Sequence, residues 1–227
     1  MEQNQFLALT DANVYADNPE PRCPCLLLLD VSASMEGEPI KQLAHGVDVY
    51  RDSLFSDELA RKRVEVAIMT FGGTVDLKHP FVTVDALSAL HFRAQGGTPM
   101  ARAVVEGLKY LETQKGIYRA NGIAYYRPWV FLITDGGPND PETGLWGEAV
   151  RQVREGEQRK AFSFFSVGVE GANFEKLTEL SVRQPLKLQR LEFQTLFTWL
   201  SASQQAVSRS RPGEAVPLLS PAGWAEV

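Results

Sequence analysis

The sequence predicts an α/β fold: a doubly wound, mostly parallel sheet flanked by helices, with one antiparallel edge strand. Three observations carry that expectation. Short runs that are wholly apolar, or apolar but for an aspartate near the end, such as WVFLI at 129–133 and CLLLLDV at 25–31, suit strands buried on both faces, as in a parallel sheet. Stretches with apolar residues at helical spacing alternate with these runs, which is the pattern of repeated strand–helix units. Between residues 64 and 84, two β-rich segments meet at Gly72 and Gly73, as in an antiparallel hairpin.

With 227 residues the chain is the size of one large α/β domain. Residues 1–24 read as an extension, 25–207 as the domain and 208–227 as a Pro- and Ser-rich tail. After the first strand, Ile40, Leu43, Val47, Tyr50 and Leu54 mark a helical face, and Pro39 suits a first helical turn. The hairpin strands follow at 64–71 and 75–84. Ala101, Val104, Val105, Leu108 and Leu111 mark a second helix, and 116–127 read as an aromatic loop at the strands' amino-terminal rim. The strand at 129–133 runs into TDGG. A further strand is expected at 161–169, a helix near 174–180 and a short strand at 186–189. A last helix carries Phe193, Leu196, Phe197, Leu200 and Val207 on one face. In the tail, Val216, Leu218, Leu219 and Trp224 are costly to leave in water, so it is expected to pack on the domain or on a partner.

A formal net charge of −5 gives no long-range attraction to phosphate backbones or anionic lipids, so neither nucleic acid nor a membrane is an expected partner. The opening MEQNQFLALT lacks a basic and apolar leader, and no apolar run reaches the roughly 18 residues that span a bilayer, so a cytoplasmic location is expected. Cys23 and Cys25 flank a single proline, a spacing that suits reduced thiols rather than a disulfide or a zinc site. His45, His79 and His91 come with no GxSxG elbow, and no phosphate-cradling GxxxxGK[ST] loop is present.

The chemistry gathers at three strand or loop ends. In an open α/β sheet, ligands bind outside the carboxyl ends of the strands, where strand order reverses. Asp30, Ser32 and Ser34 in DVSASM leave the first buried strand, Thr98 in GGTPM enters a helix, and Asp135 in ITDGG leaves another buried strand. Three hydroxyls and two carboxylates are hard oxygen donors, which select Mg²⁺ or Mn²⁺ over zinc or copper. Neutral hydroxyl ligands leave much of the ion's charge uncompensated, so an acidic side chain from a protein partner would complete the site. Met35, Glu36, Pro99, Met100 and Asn139 lie nearest the ligands in sequence and are read as the partner-binding rim.

DVSASM, GGTPM and ITDGG, in that order, resemble the metal-ion-dependent adhesion site of von Willebrand factor A domains, over residues 25–207. DVSASMEGEPIKQL and TDGGPND are similar to the TerY-type proteins associated with bacterial tellurium resistance and stress. The resemblance implies that Ser32, Ser34 and Thr98 touch the metal, with Asp30 and Asp135 mostly behind them. It also implies a generally non-enzymatic interaction module, associated in TerY-type members with PP2C-type phosphatases and protein kinases. Two departures are small: family members more often carry Gly at Ala33 and a polar or acidic residue at Gly137. Two other readings compete, a metal-free scaffold and a haloacid-dehalogenase-type phosphatase using Asp30 with the acidic pair Asp135 and Asp140. The phosphatase would need a second aspartate where Ser32 stands, because a hydroxyl of high pKa cannot exchange the proton at neutral pH.

Overall fold

A computed structural model describes residues 17–214, residue 216 and the backbone of 225–226. Leu218, Leu219 and Trp224 lie outside the described residues. Among the described residues seven strands form one sheet: β1 (Cys23–Asp30), β2 (Val64–Gly72), β3 (Thr74–Thr83), β4 (Trp129–Thr134), β5 (Ser163–Gly168), β6 (Leu186–Leu188) and β7 (Ala225–Glu226), in spatial order β3-β2-β1-β4-β5-β6-β7. β1 pairs in parallel with both β2 and β4, and β5 and β6 continue the parallel run. The expected hairpin places antiparallel β3 at one edge, and at the other the tail adds β7 antiparallel to β6.

The α-helices that lie wholly within the described residues are α1 (Glu38–Phe55), α2 (Glu58–Arg63), α3 (Met100–Ala120), α4 (Leu145–Gln158), α5 (Phe174–Leu180) and α6 (Phe193–Ser208). Alternate residues of a strand point to opposite faces, and β1 divides its leucines accordingly. Leu27 and Leu29 face a core built with Leu43, Val47 and Tyr50 of α1 and Phe193, Leu196 and Phe197 of α6. Leu26 and Leu28 face the core of α3, α4 and α5. Helices therefore cover both faces, and every residue of β1, β2, β4 and β5 is buried. Among the described residues no helix is long and apolar enough to cross a membrane.

Some expectations needed correction. Residues 116–120 are the last turn of α3 rather than loop, and the chain leaves the helix only at Asn121 and Gly122. Buried Tyr118 explains the extension. Its hydroxyl donates to the buried Glu65 carboxylate, a contact that outweighs the cost of about 1 kcal/mol for Gly116 within a helix. α2 and α4 have no counterpart in the sequence reading. α4 was obscured by Gly147 and Gly156, which break a narrow apolar stripe. Gly156 is there for space, since a Cβ on it would sit 2.2 Å from the Phe162 ring. Gly156→Ala is therefore expected to lower stability by about 1–3 kcal/mol despite alanine's better helix propensity, as measured by urea unfolding.

Both cysteines are free and buried. Burial pushes the Cys25 thiol up to about 12, so it stays protonated and behaves as a small apolar group.

Candidate metal centre

Strand order reverses between β1 and β4: the chain passes from β1 to β2 on one side, and β4 lies on the other. The turn after β1 and the turn after β4 open at that crevice. The backbone after Asp30 is tied on both sides, with Val31 N–H donating to Phe71 O (2.9 Å) and Ala33 N–H to Gly96 O (3.0 Å). Residues 33–35 then form a 3₁₀ turn.

The five proposed ligands come together. Asp30 is fully buried; its Oδ1 accepts from Ser32 N–H at 2.8 Å and its Oδ2 from Thr134 Oγ1 at 2.5 Å. The Ser32 and Ser34 hydroxyls are 3.1 Å apart, and Ser34 Oγ donates to Asp135 Oδ1 at 2.8 Å. Thr98 closes the cradle opposite Gly136, where a Cβ would lie 3.3 Å from Thr98 Oγ1 and 4.0 Å from Asp30 Oδ2. A side chain at 136 would crowd the space between Thr98 and the Asp30 carboxylate.

Burial raises the Asp30 carboxyl above its ordinary value; hydrogen bonds from Ser32 and Thr134 pull it back, and the charge of Asp135 raises it further. Burial also raises Asp135, opposed by the Ser34 hydrogen bond. Two neighbouring buried carboxylates, with no cationic side chain of the described residues acting on either, form a site whose ionised state a cation would favour. Among the described residues no group of three or more His, Cys, Asp and Glu forms a conventional metal cluster. The donor set is instead hydroxyl-rich. Mg²⁺ holds oxygens about 2.0–2.1 Å away, so adjacent corners of its octahedron lie about 3 Å apart. The Ser32–Ser34 spacing matches that edge, and the donors fit a hard divalent cation.

The rim differs from the sequence expectation. Met35 and Met100 are fully buried, Met35 in the core under α1 and Met100 in the core under α3, and Pro99 is also buried, so these three present no surface to a partner. Hydrophobic burial beneath the loops took them inward. Glu36 and Asn139 are exposed. Asn139 also positions the site, because its Oδ1 accepts from Thr98 N–H at 2.7 Å and its own N–H donates to Thr98 O at 3.1 Å.

Thr134 and Asp140 were missed as contributors. Thr134 orients Asp30, and its hydroxyl also accepts from Gly136 N–H at 3.1 Å. Asp140 accepts from the N–H groups of Ala101 and Arg102, both at 2.9 Å, at the start of α3. This carboxylate, which the phosphatase reading pairs with Asp135, is engaged as a helix cap, where it also suits the positive end of the helix dipole. The spacing T-D-G-G-P-N-D was the only sequence signal for either residue.

The model of the von Willebrand factor type A domain matches residues 26–192, most of the chain. This chain belongs to the von Willebrand factor type A family. Solved structures share the fold. A von Willebrand factor type A protein from Catenulispora acidiphila superposes with a TM-score of 0.62 at 16% identity, over 82% of this chain and 43% of that one. The pilus adhesin SpaC from Lactobacillus rhamnosus GG, in an open conformation, gives 0.66 at 13% identity over 82% and 30%. Proximal thread matrix protein 1 from the mussel byssus, with a zinc-occupied MIDAS motif, gives 0.54 at 15% identity over 82% and 48%. The von Willebrand factor A chain thus spans under half the length of each of these structures. A comparison with curated proteins finds no match.

Proposed function

We propose that this von Willebrand factor A domain is a non-catalytic interaction module that binds a protein partner through Mg²⁺ or Mn²⁺. Ser32, Ser34 and Thr98 would hold the ion directly, and Asp30 and Asp135 would orient those hydroxyls and balance its charge. The observation that carries this reading is the convergence of three hydroxyls and two carboxylates on one cradle at the strand-order switch, with the serine oxygens 3.1 Å apart. The bound ion would supply an electrophilic position open to an acidic side chain of the partner. A zinc-occupied MIDAS motif in the mussel protein supports a divalent cation in this fold. The sequence resemblance to TerY-type proteins further suggests a cytoplasmic stress or tellurium-resistance setting, with a PP2C-type phosphatase or a kinase as partner.

The test is affinity capture from the source lysate in Mg²⁺ and in EDTA, with wild type and the Ser32→Ala/Ser34→Ala double variant. A partner retained in Mg²⁺ and lost under both other conditions is expected; a partner held at full strength without metal and without both serines would overturn the reading. Purified protein is also expected to show no phosphatase or esterase turnover above background. A Mg²⁺-dependent rate abolished by Asp30→Asn would move the assignment to the phosphatase.

A further inference from the structure

We propose that Asp140 is a positioning residue of the metal centre. By capping α3 from the loop after β4, it takes the place that the Thr98 hydroxyl would otherwise fill, and so leaves that hydroxyl to the ion. The inference rests on the metal reading above and says what sets one of its hydroxyl donors.

Threonine followed by proline is a strong local signal for the start of a helix, because threonine is a favoured N-cap and proline is favoured at the first helical position. By that signal Thr98 would cap α3, with its Oγ1 accepting from the N–H of Met100 or Ala101. A hydroxyl so engaged is turned toward the helix and spends its acceptor there. The chain does otherwise. α3 starts one residue later, with Pro99, which has no side-chain acceptor, at the N-cap position with φ −74° and ψ 60°. Those angles match an inverse γ-turn, and Met100 N–H accordingly donates to Thr98 O at 2.7 Å. Ala101 N–H and Arg102 N–H donate to Asp140 Oδ2 and Oδ1, each at 2.9 Å. Both N–H groups that Thr98 would have capped are therefore satisfied elsewhere.

The backbone around Thr98 is held from the same loop. Its N–H donates to Asn139 Oδ1, and its carbonyl accepts from Asn139 N–H as well as from Met100 N–H. Gly97 makes room for this, since a Cβ there would lie 2.8 Å from Asn139 Nδ2. Gly97 O in turn accepts from Gly73 N–H at 2.8 Å, and Arg102 forms an ion pair with Glu142 across the same junction. With its backbone fixed and its capping role taken, Thr98 directs Oγ1 at the Gly136 turn, where a Cβ on Gly136 would lie 3.3 Å from it.

Asp135 and Asp140 thus belong to one loop with two tasks. Asp135 supplies a carboxylate to the cradle, and Asp140 releases the hydroxyl on the opposite side. Without the Asp140 carboxylate, the N–H groups of Ala101 and Arg102 lose their acceptor, and the hydroxyl nearest to them in sequence is that of Thr98. Turning to cap the helix takes that hydroxyl away from the Gly136 turn and from Asp30. Metal affinity and helix capping then compete for a single oxygen, which in wild type they do not.

The experiment uses the full chain as wild type, Thr98→Ala, Asp140→Ala, Asp140→Asn and the Thr98→Ala/Asp140→Ala double variant. Two quantities are measured: the affinity for Mg²⁺ by calorimetry, and Tm in EDTA. Asp140→Ala is expected to bind Mg²⁺ about 10–100-fold more weakly than wild type. Asp140→Asn, which keeps one acceptor and so protects the fold, should fall between the two. In EDTA, Thr98→Ala should lower Tm by about 2–4 °C more in the Asp140→Ala background than in wild type, because there the hydroxyl has become the cap. A residue that only stabilised the fold would give Tm changes that add. Additive Tm changes, or Mg²⁺ affinity unchanged in Asp140→Ala, would overturn the proposal. Absent Mg²⁺ binding in wild type would instead defeat the metal reading beneath it, and the Tm cycle in EDTA would still decide whether Thr98 replaces Asp140 as the cap.

Discussion

Arg22→Ala is expected to destabilise the domain by about 3–5 kcal/mol, the cost of leaving a buried charge without its partner. Arg22 is fully buried just before β1; its Nε donates to Glu65 Oε1 at 2.8 Å, and its other nitrogens donate to the carbonyls of Asn18 and Glu20. Glu65, on β2, also accepts from Tyr118 and from Gln114 of α3. One side chain thus joins the segment before β1 to β2, and through Glu65 to α3. Burial raises the Glu65 carboxyl above its ordinary value, against the hydrogen bond from Tyr118 and the charge of Arg22. Removing Arg22 takes away one of the influences that lower it. A carboxyl whose folded pKa is raised binds its proton more tightly in the folded state, so its stability contribution is present at low pH and lost as pH rises through that folded value. The Arg22→Ala penalty should accordingly be larger at pH 8 than at pH 5 in urea unfolding, and a penalty independent of pH would show that Glu65 is not the group left exposed.

The second large effect belongs to the metal. With Mg²⁺ at about a hundred times its Kd, binding to the folded state alone should add about 2.7 kcal/mol. For a domain of this size that is about 5–10 °C in Tm. Asp30→Ala is expected to abolish this shift. Without metal it should cost a further 1–3 kcal/mol, because Ser32 N–H and Thr134 Oγ1 lose their buried acceptor. The fold should survive, since the loops that hold the site stand above cores that Asp30 does not build. A variant whose Tm still rises with Mg²⁺ as in wild type would remove Asp30 from the site.

Much of this was legible in the chain because the signals were local. The continuous apolar runs of β1 and β4 could only be strands covered on both faces, and each ended in a side chain suited to a hard cation. The hairpin was readable from Gly72 and Gly73, of which Gly73 adopts a φ of 71°. Non-local facts were not legible. The burial of Met35 and Met100 depends on which faces the helices cover, and a methionine beside a ligand motif reads equally as rim or core. Asp140 looked like a second acid of the site, yet its role depends on the N-terminus of α3 lying across from it, about forty residues earlier in the chain. α4 escaped because Gly156 matches a close approach by Phe162, which no helical period reports.

The central claim is that Ser32, Ser34 and Thr98, backed by Asp30 and Asp135, form one divalent-cation site. The most direct measurement is isothermal titration of MgCl₂ into EDTA-stripped, dialysed protein, comparing wild type with Thr98→Ala, a change that removes one hydroxyl without touching either carboxylate. One-site binding by wild type, weakened at least tenfold in Thr98→Ala, is the result expected. Mg²⁺ and Mn²⁺ binding that is undetectable in wild type, or identical in the two proteins, would contradict the account.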